Sequence, residues 1–417
     1  MSAQRPSACQ HFTDTPLRAP VAGLVSDAKI APTMREAFLL DPDLIFLNHG
    51  SFGACPHEVF ARYQQWQLEM ERNPVQFLGR RSGALLADAR AALGACLSAR
   101  GDDLVFVPNA TTGVNIVARS LALQPGDEVL ATDHEYGACD ATWQFVCQRA
   151  GAHYRRVPVP LPFEPGTWAA RLLAAAGRRT KMIFASHITS TTALIFPLAD
   201  LCARAREAGI QTLIDGAHAP GQIALDLGAI GADFYTGNCH KWMSAPKGSA
   251  FLHARPERQA DLDATIVSWG YLAGLNGPSS LDAFTGHSGF ERRLQWQGTR
   301  DLAAYLSVPE AIDFQTRHDW PRLRARCHQD AIATLHTVTA RNGLVPIAPD
   351  DSFAQMVTIP VRTGDADGLR THLFNQHRIE VPVTQHSGQT FVRVSVQAYN
   401  TQAELDALIS ALAQAGV

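Results

Sequence analysis

Short apolar runs alternate with longer amphipathic stretches from about residue 100 to residue 255. Runs of the first kind are typical of buried strands, and stretches whose apolar residues recur every three or four positions are typical of helices. Regular alternation of the two predicts an α/β fold with a mostly parallel sheet. The predicted strands cover 104–107, 128–132, 181–186, 211–214, 233–236 and 249–253, and the helices between them cover 113–123, 138–150 and 198–208.

The pattern changes on both sides of this segment. Residues 1–33 are rich in Pro, Ser, Thr and Gln without periodicity, which predicts an extended N-terminal arm. Beyond it we predict a large domain at 34–304 and a small α+β domain at 305–417. The remaining predicted elements are helices at 34–40, 56–72, 83–98 and 401–415, and strands at 44–47, 355–361 and 390–396.

One internal segment departs from the periodic pattern. Residues 270–290 are dense in Gly, Ser and Pro, which predicts a long loop. Loops of this length inside a compact domain are usually functional, so this segment is a candidate wall of a binding site.

Composition narrows the class of protein. The chain has 417 residues, of which 46% are hydrophobic and 18% charged, a balance that excludes wholesale disorder. A net charge of −3 provides no basic field, so neither nucleic acid nor an anionic membrane is an expected partner. No apolar run reaches the length of a transmembrane helix, and no secretory signal is recognisable. The eight cysteines form no CxxC pair, so we expect a cytoplasmic protein without a metal site.

The basic residues are unevenly divided. The 36 basic residues comprise four lysines and 32 arginines. Arginine cannot form a Schiff base with a carbonyl compound, whereas lysine can. Any chemistry that depends on such a bond therefore has few candidates, namely Lys29, Lys181, Lys241 and Lys247.

Four polar segments follow predicted strands, and the carboxyl ends of parallel strands meet at the edge of a sheet where ligands bind. Thr111 and Thr112 in VFVPNATTGV begin a helix whose N–H groups suit a phosphate, although plain helix capping is an alternative. Asp215 in TLIDGAHAPG suits a protonated ring nitrogen, although a turn-forming aspartate is equally typical. These segments supply an anion site and a carboxylate.

The other two segments supply a lysine and aromatic rings. Lys241 in DFYTGNCHKW is a Schiff-base candidate, although a lone lysine is more often a surface residue. His134 and Tyr136 in ATDHEYGACDA can each stack on a planar ligand, although core or capping roles are as common. Taken together, the four segments are the parts of a pyridoxal 5′-phosphate site.

These segments resemble the class V aminotransferase family, which comprises fold type I pyridoxal phosphate enzymes. FLLDPDLIFLNHGSFGACP (38–56), NPVQFLGRR (73–81), DHEYGA, DGAHAPG and HKW are closest to the isopenicillin N epimerase-like branch, and the resemblance continues to RVSVQAYNT (393–401). It implies a large domain with a mostly parallel seven-stranded sheet, a small α+β C-terminal domain, and a homodimer whose subunits share the active site.

The resemblance also implies roles for individual residues. Lys241 would form the internal aldimine, Asp215 would pair with the ring nitrogen, and His218 would lie near the ring hydroxyl. Arg393 would bind the substrate α-carboxylate through two hydrogen bonds. The other implied positions are Thr111, Thr112, Asn238 and His240 for the phosphate, Thr299 for the phosphate of the neighbouring subunit, His134 or Tyr136 for ring stacking, Ser190 near the cofactor hydroxyl, and Asn48 and His49 on the substrate side.

The implied activity is chemistry at the Cα of an amino acid or a peptide-like substrate, through an external aldimine. Epimerisation, β-elimination by a C–S lyase and transamination all use the same visible residues. Epimerisation also needs a proton donor opposite Lys241, for which His49, His134, Tyr136 and His386 are candidates. A non-catalytic protein that only keeps the fold is disfavoured by the intact pair of Asp215 and Lys241.

Two further features bear on the substrate. Cysteine desulfurases of this family carry a nucleophilic cysteine before the carboxylate-binding arginine, but the corresponding stretch here, VPVTQHSGQTFVR (381–393), has none. Persulfide relay is therefore not expected. Arg80 and Arg81 are candidates for binding a distal carboxylate, and salt bridges within the large domain are the alternative.

Overall fold

The structure, a computed structural model, describes residues 34–276 and 280–417. The arm predicted at 1–33 lies outside the described residues. The strands are β1 (Ile45–Phe46), β2 (Leu104–Val107), β3 (Glu128–Thr132), β4 (His153–Val157), β5 (Thr180–Ser186), β6 (Gln211–Asp215), β7 (Phe234–Asn238), β8 (Ala250–Ala254), β9 (Met356–Val361), β10 (Ile379–Glu380), β11 (Val383–His386) and β12 (Gln389–Ser395).

Helices separate most of these strands, and short 3₁₀ turns and one π-helical turn, Phe77–Arg81, lie between them. The α-helices are α1 (His49–Phe52), α2 (His57–Arg72), α3 (Pro74–Gln76), α4 (Ser82–Cys96), α5 (Ala110–Ser120), α6 (Gly137–Ala150), α7 (Trp168–Ala174), α8 (Ala199–Glu207), α9 (Leu227–Ile230), α10 (Trp269–Asn276), α11 (Asp282–Thr285), α12 (Gly289–Gln295), α13 (Ala303–Leu306), α14 (Val308–Arg317), α15 (Trp320–Asn342), α16 (Ala366–His377) and α17 (Gln402–Gln414). None of those within the described ranges is both long and apolar enough to cross a bilayer.

The predicted seven-stranded sheet is confirmed. Its strand order is β2-β8-β7-β6-β5-β3-β4, and every pairing is parallel except the two that β8 makes with β2 and β7. Helices cover both faces, which is why the central strands are apolar runs without alternation. Along β5, Met182 and Phe184 pack into one core while Ile183 and Ala185 pack into the other.

The edge strand β4 was not predicted. Its sequence, HYRRV, contains two arginines and no apolar run, and its residues are partly or fully exposed. β4 is a strand because it pairs in parallel with β3 along five consecutive residues. Its formation therefore depends on the neighbouring strand, and the pattern of its own residues gave no signal.

The loop predicted at 270–290 is wrong, because described residues on both sides of 277–279 form helices α10, α11 and α12. The small and polar residues serve other purposes. Ser288 caps α12 by accepting a hydrogen bond from the N–H of Glu291 (3.1 Å). Gly270 lets α10 approach α12 so closely that a Cβ atom would collide with the carbonyl oxygen of Arg292. Residues 277–279 lie outside the described part.

The C-terminal part carries a second, antiparallel sheet with the order β11-β12-β9. Helix α15 packs on β9, and α16 packs on β10 and β11. The segment before the large sheet joins this region, since β1 pairs in parallel with β10. Residues near both ends of the described chain therefore meet in this pairing.

Candidate active site

A cavity of about 350 Å³ opens at the carboxyl ends of the central strands of the large sheet. This is the position expected for ligands of an open α/β sheet. Its walls come from the loops after β2, β3, β5, β6 and β7 and from α1. The predicted site residues that line it are Thr111, Tyr136, Ser190, Asp215, His218, Asn238, His240 and Lys241.

Asp215 ends β6 and is buried at the base of the cavity. Its Oδ1 accepts a hydrogen bond from the N–H of Ala217 (2.9 Å), and its Oδ2 accepts one from the thiol of Cys139 (3.5 Å). Burial raises the pKa of the Asp215 carboxyl, and the Ala217 N–H and the charge of Lys241 partly oppose that effect. A buried carboxylate with a thiol as its side-chain partner is suited to a cationic ring nitrogen.

Lys241 follows β7, and its Nζ lies 3.2 Å from Nε2 of His218. The other ring nitrogen of His218, Nδ1, accepts a hydrogen bond from the indole N–H of Trp242 (3.4 Å). Because an indole nitrogen only donates, the neutral ring carries its proton on Nε2 and donates it to Lys241. This arrangement requires an uncharged amine.

The electrostatics of the pair agree with that tautomer. Burial, followed by the positive charge of Arg393, lowers the pKa of Lys241 to about 8, while Asp215 opposes the shift. The pKa of His218 is well below its usual range because of burial and the charges of Lys241 and Arg393. A neutral amine near physiological pH is the reactive form of a lysine nucleophile or base.

The start of helix α5, the position predicted for the phosphate, borders the cavity. The side chain of Asn109 caps the helix through the N–H of Thr112 (2.8 Å), and Asn238 accepts the N–H of Ala110 (2.8 Å). His240 donates from Nδ1 to the carbonyl of Ser249 (2.8 Å), and burial lowers its pKa to about 4, so its Nε2 is an acceptor. Thr111 lines the cavity, whereas the hydroxyl of Thr112 donates to Asn109 and belongs to the cap.

Arg393 lies on β12 with its guanidinium buried beside the cavity. It donates to the carbonyl oxygen of Ser190 (2.6 Å) and to the hydroxyl of Ser51 (2.9 Å). Its Nε is buried without a partner among the described residues. Burial lowers the pKa of Arg393 to about 10, which still leaves the side chain charged at neutral pH. An orphaned donor on a buried guanidinium is suited to a carboxylate.

The two predicted substrate-side residues lie behind the cavity wall. Asn48 accepts the hydroxyl of Ser51 (2.5 Å) and donates to Glu380 (3.2 Å). His49 is buried, with one ring nitrogen on the hydroxyl of Tyr399 (3.0 Å) and the other on the backbone carbonyl of Lys241 (3.0 Å). Neither lines the cavity, so the structure places them as supports of Ser51 and of the Lys241 backbone.

The structure separates the two stacking candidates. His134 is buried outside the cavity lining, with ring nitrogens bound to Thr192 (2.8 Å) and to the carbonyl of Val159 (2.8 Å). Its ring faces that of His386, with the centroids 4.0 Å apart. Burial lowers the pKa of His134 to about 4. Tyr136, by contrast, is 48% exposed and lines the cavity.

Three other predicted positions lie away from the cavity of this chain. Thr299 is exposed after α12 and does not line the cavity. Arg81 forms a salt bridge with Glu69 (2.6 Å), as the alternative interpretation held, and Arg80 is exposed. The described residues that line the cavity include neither arginine.

Sequence reasoning missed several residues of the site, including Ser51, Asn109 and Cys139. It also missed Glu135, a buried carboxyl that accepts the hydroxyls of Thr132 (2.5 Å) and Ser186 (2.6 Å). Burial raises the pKa of Glu135 to about 8. Its place between His134 and Tyr136 was the available signal. Asn109 had another signal, since asparagine before a helix is a common cap.

The residues of the cavity fit pyridoxal 5′-phosphate. The helix N-terminus suits its phosphate, a buried carboxylate suits its ring nitrogen, and a lysine whose pKa is lowered to about 8 suits its aldehyde. Arg393 adds a donor for the carboxylate of an amino acid.

Comparisons with known proteins agree with this assignment. The family Aminotransferase class-V matches residues 45–408. Isopenicillin N epimerases from Streptomyces clavuligerus and Amycolatopsis lactamdurans are 39% and 38% identical to this chain, over 91% of it and 96% of each relative. A probable chloroplastic L-cysteine desulfhydrase from Arabidopsis thaliana is 31% identical, over 86% of this chain and 80% of the relative.

Two solved structures have the same fold. A complex of a cystine C–S lyase with cysteine persulfide has a TM-score of 0.75 at 22% identity, over 89% of this chain and 98% of that one. The apo cysteine desulfurase from Thermococcus onnurineus has a TM-score of 0.77 at 17% identity, over 92% of this chain and 98% of that one. Both likenesses confirm the predicted fold type I architecture.

Proposed function

The chain belongs to the class V aminotransferase family of pyridoxal 5′-phosphate-dependent enzymes, and we propose that it epimerises the Cα of isopenicillin N or of a similar peptide-like amino acid. The single observation that supports the substrate class best is the buried, unpartnered Nε of Arg393, whose guanidinium donates to Ser51 and Ser190 in the wall of the cavity that Lys241 and Asp215 line. An α-carboxylate held there would bring Cα within the reach of a neutral amine.

When bound, pyridoxal phosphate withdraws electrons from the Cα of an attached amino acid and thereby makes its C–H bond acidic. The residues of this chain do the rest. The carboxylate of Asp215 stabilises positive charge at the ring nitrogen, and the N–H groups at the start of α5 hold the phosphate. Lys241, neutral above pH 8, takes the Cα proton onto Nζ, while Arg393 fixes the carboxylate so that this C–H bond faces the amine.

We propose the following assignments within that site. Tyr136 stacks on the cofactor ring, and His218 and Ser190 lie near the ring hydroxyl. The residues that contact the phosphate are Thr111, Asn238 and His240. Tyr136 is favoured over His134 for stacking, because it lines the cavity whereas His134 has both ring nitrogens bound elsewhere. Asn48 and His49 act indirectly, through Ser51 and the Lys241 backbone.

We also propose that the enzyme is a homodimer whose partner provides Thr299 to the phosphate. Thr299 is exposed. Three exposed apolar side chains lie at the start of α10: Ile266 and Val267 come shortly before the helix, and Trp269 is its first residue. Exposed apolar clusters of this kind are typical of subunit interfaces. Sedimentation should give a dimer, and a monomer that retains full activity would contradict the shared site.

A cytoplasmic location completes the proposal. Six of the seven described cysteines are buried as thiols, Cys139 beside Asp215 among them. Free thiols are typical of reducing compartments.

The alternative activity is β-elimination by a C–S lyase, which the desulfhydrase relatives favour. The test is incubation of the loaded enzyme in deuterated water with isopenicillin N, L-amino acids and S-substituted cysteines. Intact substrate with deuterium at Cα and inverted configuration supports the epimerase. Pyruvate with loss of the sulfur group identifies the lyase instead, and formation of a 2-oxo acid that keeps its side chain identifies an aminotransferase.

A further inference from the structure

We propose that Tyr136 is the second acid–base group of this site and exchanges a proton with the substrate Cα on the side opposite Lys241. This inference rests on the epimerase function proposed above. Inversion at carbon requires that a proton leave one face and another arrive at the opposite face. Lys241 serves one face, so a second proton-carrying group must border the same cavity.

The strand order places the two groups on opposite sides of Asp215. Lys241 follows β7 and Tyr136 follows β3, whereas Asp215 ends β6, which lies between β7 on one side and β5 and β3 on the other. Both side chains line the cavity. Asp215, the proposed partner of the ring nitrogen, therefore lies between the strand that carries the amine and the strand that carries the phenol.

The phenol shares its cavity with the residues that hold the carboxylate-binding arginine. Arg393 donates to the carbonyl oxygen of Ser190 and to the hydroxyl of Ser51, and both serines line the cavity together with Tyr136 and Lys241. The Tyr136 phenol also interacts electrostatically with Arg393, which partly opposes the effect of burial on the pKa of that arginine. A carboxylate bound to Arg393 would therefore present its Cα to a cavity that both the amine and the phenol border.

Other titratable groups of the cavity are engaged or lie on the wrong side. His218 binds Trp242 and Lys241 through its two ring nitrogens. His240 follows β7, on the side of Lys241, and donates to the carbonyl of Ser249. Asp215 is the proposed partner of the ring nitrogen. Among the described lining residues, Tyr136 is the titratable group that comes from the β3 side.

The other sequence candidates are not at the cavity. His49 and His134 each have both ring nitrogens in hydrogen bonds, and neither lines it. His386 stacks on His134 and faces Asp133, whose carboxylate lies 3.9 Å from its Nε2. The structure thus reduces four candidate donors to one.

The proton balance closes without a further reagent. Nζ of Lys241 takes the Cα proton, and the electron pair of that C–H bond is held while the amino acid remains attached to the cofactor. The Tyr136 O–H then delivers its proton to the opposite face, where the pair forms the new C–H bond. The phenolate regains a proton from water, because Tyr136 is 48% exposed, and Lys241 releases its own.

The experiment compares Tyr136→Phe with wild type, since phenylalanine keeps the aromatic ring and removes only the hydroxyl. The cofactor-loaded proteins are incubated in deuterated water with isopenicillin N and, separately, with its Cα epimer. Wild type should incorporate deuterium into both. Tyr136→Phe should retain exchange from the epimer whose proton faces Lys241, while exchange from the other epimer and inversion fall at least about 100-fold.

Two readouts that do not depend on turnover accompany the rates. The first is the visible band of the bound cofactor, which should be the same in Tyr136→Phe as in wild type. The second is the affinity for a non-reacting carboxylate analogue, measured from the change that the analogue causes in that band, and it should also match wild type. His386→Asn is the matched variant, because it removes a rival proton donor outside the cavity, and it should still invert the substrate.

The possible failures are distinguishable. If wild type exchanges only one epimer, the epimerase function is wrong and the role of Tyr136 falls with it. If wild type exchanges both epimers and Tyr136→Phe does the same at similar rates, the epimerase stands and Tyr136 is not its second acid–base group. Loss of inversion in His386→Asn with normal inversion in Tyr136→Phe would transfer the role to His386.

Discussion

The cofactor side and the substrate side of the cavity are built in different ways. On the cofactor side, Asp215, Asn238 and Lys241 follow neighbouring strands of one sheet, and the hydrogen bonds of that sheet fix their spacing. On the substrate side, Ser51 and Arg393 are 342 positions apart in the chain and meet at 2.9 Å. The pairing of β1 with β10 and the burial of Arg393 hold that contact.

This difference indicates which property each side controls. A change on the substrate side should weaken substrate binding and leave the cofactor in place, because the sheet remains intact. The sides are nevertheless coupled through charge, since Arg393 contributes to the lowered pKa of Lys241. Variants of Lys241 and Arg393 can therefore show whether the two sides are structurally independent and whether they are coupled through charge.

The largest effect is expected for Lys241→Ala. Removal of the amine eliminates both the nucleophile for the cofactor and the general base, so turnover should fall at least about 1,000-fold. Borohydride reduction followed by peptide mass analysis should find the cofactor on Lys241 in wild type and on no peptide in the variant. Lys181→Ala, a change at a half-exposed lysine on β5, is the control and should label normally. Normal labelling of Lys241→Ala would remove that residue from the site.

A smaller effect, confined to substrate, is expected for Arg393→Ala. Loss of one partner of a buried charge pair costs about 2 kcal/mol or more, which corresponds to roughly a 30-fold higher KM. The visible cofactor band should remain, because Arg393 lies outside the large sheet. Arg393→Lys should recover only part of the loss, since an ammonium group cannot reproduce the paired donors of a guanidinium. A normal KM, or a lost cofactor band, would contradict the division between the two sides.

The smallest effect concerns pH. The rate at which the apoprotein takes up pyridoxal phosphate, read from the visible band, should rise with a midpoint near pH 8, where Lys241 becomes neutral. Arg393→Gln should move that midpoint to higher pH, because one cause of the lowered pKa is removed. Arg81→Gln, remote from the cavity, should leave it unchanged. An identical midpoint in Arg393→Gln would show that the two sides are electrostatically independent.

The same shift has a consequence for stability. Because the pKa of Lys241 is lower in the folded apoprotein than in the unfolded chain, the unfolded chain binds more protons between about pH 8 and about pH 10.4. The contribution of Lys241 to folding stability therefore rises with pH across that window. To measure this contribution, the free energy of unfolding by denaturant is determined at several pH values for Lys241→Met and for wild type. The wild-type value should rise more steeply with pH across the window than the value of the variant.

The strands of the large sheet illustrate how far local pattern reaches. The six predicted strands all lie within two residues of observed ones, because each is buried on both faces and reads as an apolar run. β4 had no such run, since it lies at the edge of the sheet. The segment 270–290 failed for the opposite reason, because its Gly and Ser residues cap helices and permit close packing rather than form a loop.

The candidate site divides in the same manner. Lys241, Asp215 and the start of α5 were predictable, because each follows its own strand and the strand-end rule needs no knowledge of distant contacts. The choice between His134 and Tyr136 was not, because it depends on partners such as Val159 and Thr192, far away in the chain. His49 likewise matched a motif, but the structure directs its ring nitrogens to Tyr399 and the backbone of Lys241.

The sequence by itself determined the family, the α/β architecture and the lysine and aspartate that line one cavity, because these depend on local runs and on motifs at strand ends. Only the tertiary structure decided which ring borders the cavity, how Ser51 meets Arg393, and that the pKa of Lys241 falls to about 8. The physical reason is that burial, charge coupling and the completion of hydrogen bonds are properties of neighbours in space, which residues adjacent in the chain do not specify.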